Sequence, residues 1–374
     1  MVGVSTRAIA ESAANVGFRV TSLDAFGDLD QHPGVRALSM RRDFGVEFSA
    51  RAVANLARSI DADSVAYLSP FENYGPLVAR MAKGRRLLGN TQSVVARARD
   101  PRWLVRPDAT SSGRWLVKPR RSGGGHNVRW WNPGDPVPGD RYRQAFVEGV
   151  PGSIVFVAAH GTAVPLGLTT QLVGDAAFGA SGFRYCGSIL TASRETTSHE
   201  IRHGSATHRD RALLDSAITL ASRAARELEL VGLNCIDFID RDGTAYPIEI
   251  NPRWSASMEL VERAHHIPMF GVHATACTTG ELPAFDIARA GTTVPVHGKA
   301  IVFARHDVIC GDTREWLDDR AVRDVPHPGE PIRAGRPVCT VFASAQSADD
   351  CRLALVTRAN VVYDTLDAWS SVHA

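Results

Sequence analysis

The stretch NCIDFIDRDGTAYPIEINPR, residues 234–253, decides how this chain is read. Asn234–Ile239 alternates as a strand does, Asp240–Gly243 is a turn of the Asp-x-Asp-Gly type, and Ala245–Ile250 is the return strand. Asp237 and Glu249, twelve residues apart, fall on adjacent antiparallel strands, where side chains on one face meet. Asn251 lies two residues beyond Glu249 and shares its face. Two carboxylates and an amide oxygen on one patch form a hard-oxygen set suited to Mg2+, an ion that keeps waters and also takes phosphate oxygens. Pro252 then breaks the ladder. Arg253 follows, and an arginine beside a metal suits a phosphate or carboxylate anion. Judged alone, the same residues also fit a solvated acidic hairpin.

Upstream, Trp115-Leu116-Val117-Lys118 reads as an apolar strand ending in lysine, followed by Pro119-Arg120-Arg121-Ser122-Gly123-Gly124-Gly125. A glycine run lets backbone N–H groups approach a phosphate closely, and a lysine at the strand end places a point charge on it. The stretch lacks the Gly-x-x-x-x-Gly-Lys-Ser/Thr pattern of a P-loop. By itself it is equally a glycine-rich surface loop.

The chain has 374 residues, 44% hydrophobic and 22% charged, enough for two or three domains with buried cores. Its 42 Lys and Arg against 40 Asp and Glu leave a net charge of +2, which speaks against a basic nucleic-acid coat and against an acidic tail. There is no basic stripe interleaved with aromatics. No apolar run approaches the roughly 20 residues of a membrane span, and the N-terminus has no basic region followed by an apolar one. The expectation is a cytoplasmic protein with no nucleic-acid and no membrane partner. Cys186, Cys235, Cys277, Cys310, Cys339 and Cys351 are scattered without Cys-x-x-Cys spacing, so reduced thiols are expected rather than a disulfide framework or a zinc site. Only three basic residues are lysines: Lys83, Lys118 and Lys299. A GC-rich coding bias toward arginine accounts for the scarcity.

No internal repeat or low-complexity tract is visible. Val2–Val4, a helix over Ala8–Val16 closed by Gly17, a strand over Phe18–Leu23, a helix over Ala50–Ile60 and the apolar Ser64–Leu68 read as a small α/β layer with a parallel sheet. It lacks the Gly-x-Gly-x-x-Gly of a dinucleotide site. A second region places strands at Trp115–Lys118, Gln144–Val147, Ser153–Ala158 and Leu166–Val173, then a long amphipathic helix over His208–Leu230 before the hairpin. The last region reads as a compact α+β ending, with strands at Lys299–Arg305 and Val338–Ala343, a helix over Ala348–Thr357 and a short strand at Val361–Tyr363. The expected fold class is α/β and α+β in three segments, 1–86, 87–289 and 290–374.

Together, Lys-Pro-x-x-x-Gly-Gly-Gly from Lys118 and Asp237 with Glu-x-Asn-Pro-Arg from Glu249, about 120 residues later, closely resemble the ATP-grasp superfamily. Within it, the chain is similar to the predicted ATP-dependent carboligases related to biotin carboxylase. The resemblance covers most of the chain: a Rossmann-like pre-ATP-grasp layer over 1–86, a two-lobed ATP-grasp domain over 87–289, and a small C-terminal α+β domain over 290–374. It implies that ATP lies between two lobes, that Lys118 touches the α- and β-phosphates, and that Gly123, Gly124 and Gly125 cover the phosphates as a mobile lid. Gln144-Ala145-Phe146-Val147-Glu148 matches the hinge strand, where the backbone of Ala145 and Val147 pairs with adenine and Glu148 is the candidate for ribose. Asp237, Glu249 and Asn251 match the ligands of one or two Mg2+ ions, for which Mn2+ substitutes. Arg253 matches the arginine that, with Lys118, stabilises the transferring phosphoryl group or an acyl phosphate. The implied enzyme is an ATP- and Mg2+-dependent carboxylate–amine ligase acting on small-molecule carboxylate and amine substrates, with amino-acid addition in cofactor biosynthesis as one setting. Similar enzymes are often homodimers, and no interface signal stands out here.

The chain departs from the pattern in two places. Many ATP-grasp enzymes place a second lysine at the start of this region; Gly89–Arg97 has none, which leaves Arg97 or Arg99 as substitutes. Lys83 lies too early and reads as a solvated helix end. The glutamate that biotin carboxylases carry eight residues after the last acidic ligand is Ser257 here, with Glu259 and Glu262 beyond it on a helix. This counts against bicarbonate and resembles ligases of larger carboxylates. Gln171, Arg184 and Tyr185 are candidate substrate contacts. Trp130-Trp131 is a substrate platform or plain packing, and Cys235 is a small buried hydrophobe rather than a nucleophile. His199, His203, His208, His265 and His266 lack the spacing of a zinc quartet. The role of Lys299 is open. Three rivals stand beside the ligase: a small-molecule kinase using the same grasp, a non-catalytic nucleotide-binding module, and a nucleic-acid binder using the arginine surplus, which the near-neutral charge disfavours.

Overall fold

The structure, a computed structural model, describes residues 1–104, 113–190, 206–290 and 295–372. In the N-terminal layer, β1 (Val20–Asp24) pairs in parallel with β2 (Val35–Ser39), and β3 (Ser64–Ala66) with β4 (Arg86–Leu88). Val2 joins the two halves through parallel bridges to Leu23 and Tyr67, which completes the expected parallel sheet. Helices α1 (Arg7–Asn15), α2 (Met40–Phe44), α3 (Ala50–Ala57) and α4 (Gly75–Ala82) pack on these strands, and α5 (Gln92–Ala98) follows β4. Two of them start where the sequence supplies a cap: Ser39 Oγ accepts from the Arg42 N–H and Ser49 Oγ from the Ala52 N–H.

A small antiparallel sheet comes next, with β5 (Trp115–Pro119) between β6 (Arg129–Trp131) and β7 (Arg141–Ala145). The β7 ladder starts three residues before Gln144 and ends at Ala145, so Phe146 and Val147 of the expected strand lie beyond the pairing. Arg143 hides the strand pattern: its guanidinium stacks at 4.6 Å on Trp131, so a charged residue behaves as part of a packed face.

The remaining strands are β8 (Val150–Ala159), β9 (Thr162–Val173), β10 (Tyr185–Leu190), β11 (Gly232–Arg241), β12 (Thr244–Asn251), β13 (Val296–Phe303), β14 (Val308–Ile309), β15 (Val322–Arg323), β16 (Pro331–Ile332) and β17 (Pro337–Ala345). Eight of them form one antiparallel sheet in the order β12-β11-β8-β9-β10-β13-β17-β15, and β14 pairs with β16. Strands from the last segment thus extend the sheet that carries the hairpin. Helix α6 (Ala206–Leu228) covers one face, burying Ala221, Ala224 and Leu228 against Phe156, Ile236 and Phe238. Helices α7 (Ala256–His265) and α8 (Met269–Thr278) cover the other, against Val155, Val157, Leu233 and Cys235. With both faces covered, β8 reads as a nearly continuous apolar run. A short α9 (Ile287–Ala290) precedes β13.

The C-terminal helix α10 (Ala348–Val372) overturns one expectation, since Val361–Tyr363 lies inside it rather than in a strand. Leu355, Ala359, Val362, Tyr363 and Leu366 are buried while Val361 is 62% exposed, a helical period that a three-residue window of β-branched and aromatic side chains conceals. No helix among the described residues is long and apolar enough to cross a membrane.

One buried ion cluster ties the segments together. Glu259 of α7 accepts from Arg7 of α1 and from Lys299 of β13, each at 2.6 Å, and Arg7 also donates to Asp324 at 2.8 Å. Burial pushes the Glu259 carboxyl up, but Arg7 and then Lys299 outweigh it and hold the group well below the usual carboxylate range. The stability it contributes is present above the ordinary glutamate pKa and is lost as pH falls toward the lower folded value. Glu259→Gln, which strands Arg7 and Lys299, is expected to lower the unfolding free energy by about 3 kcal/mol at neutral pH. Urea denaturation is expected to show that gap narrowing as the medium is acidified below pH ~4.

Candidate active site

Asp237 of β11 pairs directly with Glu249 of β12. Immediately afterwards the register slips, so that Phe238 faces Pro247 and Ile248 is passed over. Pro247 has no N–H for the ladder and β12 is the edge strand, which is where such a bulge is tolerated. The Ile248 carbonyl turns to the small lobe and accepts from Lys118 Nζ at 3.3 Å and from Gln144 Nε2 at 3.0 Å. Lys118 Nζ also donates to Gln144 Oε1 at 3.0 Å. The bulge therefore docks the strand end carrying Lys118 onto the hairpin carrying both carboxylates.

The carboxylates are half-buried and differently held. Asp237 accepts from Gln171 Nε2 at 2.7 Å and from Asn251 Nδ2 at 2.9 Å. Burial and then the Glu249 charge push it up to about 7. Burial also raises Glu249, but Arg99, whose Nη1 lies 2.6 Å from Oε1, and Lys118 outweigh it and bring the group below its ordinary value. Lys118 itself is lowered by burial, which Glu249 and Asp237 only partly offset. Arg253 donates to Asn251 Oδ1 at 3.0 Å and to Glu72 Oε1 at 2.6 Å. Glu72 comes from the N-terminal layer, so the first two segments of the sequence meet here.

The glycine loop is pinned over this group. Arg99 Nη2 donates to the Ser122 carbonyl at 3.1 Å, and the Tyr185 N–H to the Gly124 carbonyl at 3.1 Å. Gly125 has φ +76°, and a Cβ there would lie 1.7 Å from the Phe183 carbonyl oxygen, so only glycine fits.

A cavity of about 340 Å³ joins these parts. Lys118, Gly124, Gly125, Gln144, Asp237, Glu249, Asn251 and Arg253 line it, with Ala145 and Val147 beside Leu116, Phe146 and Ile239 as its apolar wall. Gly123 sits beside it over Ser69 and Glu72, and Glu148 is exposed outside the lining. Gln171 and Tyr185 also line it, whereas Arg184 does not. Of the two arginines considered for the missing lysine, Arg99 enters the cavity, while Arg97 pairs with Glu229 at 2.6 Å. Trp130 packs edge-on against Phe146 and Phe183, with ring centroids 4.7 and 5.5 Å away. Burial holds the Cys235 thiol well above its usual range, which leaves little thiolate for nucleophilic chemistry. Lys299 serves the ion cluster of Glu259.

Glu72 was not foreseen. Its sole sequence signal is its place just after a strand of the parallel layer, the end of such strands where sites gather. His199 and His203 lie outside the described residues, and His208 is described by its backbone only. Among the described residues no group of three or more His, Cys, Asp and Glu is arranged to hold a metal ion. Asp237, Glu249 and Asn251, two carboxylates and an amide on adjoining positions, fit a hard cation that draws its other oxygens from phosphate and water.

Residues 105–257 match a family model described as an ATP-grasp domain. The whole chain is similar in structure to an L-amino acid ligase from Bacillus licheniformis, at 15% identity with TM-score 0.63, covering 95% of each chain. It is also similar to N5-carboxyaminoimidazole synthetase from Staphylococcus aureus complexed with ADP, at 13% identity with TM-score 0.64 and 96% of each chain covered. A third likeness is to a biotin carboxylase from Campylobacter jejuni, at 12% identity with TM-score 0.62, covering 94% of this chain and 88% of the other. Identities this low establish the fold, which is the ATP-grasp fold.

Gly125→Ala places a methyl group against the Phe183 carbonyl. Isothermal titration calorimetry is expected to show ATP affinity falling at least about tenfold, or about 1.4 kcal/mol, while the melting temperature stays within a few degrees of wild type.

Proposed function

With an ATP-grasp domain over residues 105–257 as the starting point, we propose that this protein is an ATP- and Mg2+-dependent ligase that activates a carboxylate as an acyl phosphate and joins it to an amine. The observation that carries this reading is the meeting, in one cavity, of Lys118, Arg99 and Arg253 with Asp237, Glu249 and Asn251.

The chemistry follows from those residue types. A carboxylate is a poor electrophile because its leaving group would be oxide. Transfer of the γ-phosphoryl group turns that oxygen into part of a phosphate, which an amine then displaces. Such transfer asks for positioning and charge neutralisation more than for covalent help. Adenine fits the apolar wall at Leu116, Phe146 and Ile239, with the backbone at Ala145 and Val147 as its hydrogen-bonding edge. Lys118 holds the phosphates from the small lobe, and Arg253 faces the acyl phosphate from the hairpin. Mg2+ held by Asp237, Glu249 and Asn251 would neutralise the phosphate oxygens. The pinned glycine loop keeps water from the intermediate. Beyond Arg253 the lining is Ser255, Ala256 and Ser257, small and uncharged, which suits an acid larger than bicarbonate.

The test is a screen of acids and amines in which phosphate release must depend on both partners. Hydroxylamine in place of the amine is expected to trap the activated acid as a hydroxamate. ADP formed together with a phosphorylated alcohol and no free phosphate would instead identify a kinase. Lys118→Ala is expected to abolish turnover with the fold intact, and Glu249→Gln to lower Mg2+-dependent activity at least about tenfold, equivalent to about 1.4 kcal/mol. Unchanged rates in either variant would remove the assignment.

A further inference from the structure

Among the described residues Arg184 is held in place with no carboxylate paired to it. Its guanidinium stacks on the Phe303 ring at 4.1 Å, while its Nε is buried with no hydrogen-bond partner. Two further basic residues follow glycines that come close to it. His126 follows Gly125, where a Cβ would lie 3.3 Å from Arg184 Cα. Arg336 follows Gly335, where a Cβ would lie 3.6 Å from Arg184 Nη1. The three come from separate parts of the chain: the glycine loop, the approach to β10 and the turn before β17. Burial, Arg184 and then Arg336 depress the His126 imidazole, and burial and then Arg336 depress the Arg184 guanidinium. Among the described residues no carboxylate relieves either group.

This contrasts with the arginines nearby. Arg99 has Glu249, Arg253 has Glu72 and Arg7 has Glu259. A stacked guanidinium with a free fork is pre-organised for two parallel hydrogen bonds to one carboxylate or phosphate. The location narrows the ligand. Phe183 and Tyr185, on either side of Arg184, line the nucleotide cavity, whereas Arg184, Arg336 and His126 do not. The cluster therefore lies beside the cavity and apart from the side chains assigned to the ATP phosphates.

We propose that Arg184, Arg336 and His126 form an oxyanion subsite at the mouth of the cavity, which receives a second anionic group, carboxylate or phosphate, carried by one of the two substrates. This deepens the ligase reading and rests on it for the word substrate. Because His126 belongs to the glycine loop, an anion held here would also fasten that loop to β10 and to the turn before β17.

The test separates the subsite from the reaction. Protein saturated with ADP and Mg2+ is titrated with inorganic phosphate and with succinate, against chloride of equal ionic strength. At least one oxyanion is expected to bind above the chloride background, and its affinity to fall at least tenfold in the Arg184→Gln/Arg336→Gln double variant, with ADP affinity as the control for an intact fold. Stronger binding of phosphate marks a phosphorylated substrate, and stronger binding of succinate a second carboxylate. Absence of binding in wild type, or equal binding in the double variant, overturns the proposal. Oxyanion binding lost in the variant without turnover of any acid–amine pair would sustain the subsite and remove the ligase reading. Turnover without oxyanion binding would do the reverse.

Discussion

Buried carboxylates are the constraint around which this molecule is arranged. Taking such a group out of water costs several kcal/mol unless cations or hydrogen-bond donors meet it. Glu72 and Glu259 are buried and Asp237 and Glu249 half-buried, and their partners come from distant parts of the chain. Arg99, at the end of α5, reaches Glu249; Arg253, after β12, reaches Glu72; Arg7 and Lys299 reach Glu259 from opposite ends of the sequence. Asp237 has amide donors from Gln171 and Asn251 rather than a direct ion pair. The pairs that let the carboxylates be buried also hold the N-terminal layer, the small lobe and the large sheet in register around one cavity.

Within that arrangement lysine and arginine do different work. Lys118 is half-buried at a strand end with two acceptors, Gln144 and the Ile248 carbonyl, and carries a compact charge on a flexible stem. Lys299 fills a short gap between β13 and α7, while Lys83 is an exposed helix end. A chain that uses arginine almost everywhere else thus places one of its three lysines, Lys299, in a buried polar site and a second, Lys118, in a half-buried one. The arginines supply planar forks that reach between segments, and in Arg99 one of them lines the cavity and pairs with Glu249.

What was legible in the sequence was what depends on short spacing. The hairpin, the shared face of Asp237, Glu249 and Asn251, and the strand leading to Lys118 follow from alternation and a turn signature, and the structure shows each of them. The glycine run was legible as a loop, but its fit against Phe183 was not, since that contact joins residues about 60 positions apart. Choosing between Arg97 and Arg99 needed the helix end to be seen, because two residues separate an arginine facing the cavity from one facing Glu229. Glu72 and the Arg184 cluster depend on packing between segments and leave no spacing pattern. The helix over Val361–Tyr363 was misread because the local preference of Val, Val and Tyr for strand lost to a buried stripe that becomes visible only over three turns.

In the proposed function the hairpin carboxylates, with Lys118 opposite, form the phosphate and metal site of an acid-activating enzyme. A crystal structure with ADP and Mn2+, the metal located by its anomalous scattering, tests it most directly. The expected result is a metal bonded to oxygens of Asp237 and Glu249 and to the nucleotide phosphates, with Lys118 Nζ on those phosphates. Nucleotide bound elsewhere, or bound in the cavity with no metal at Asp237 and Glu249, would contradict it.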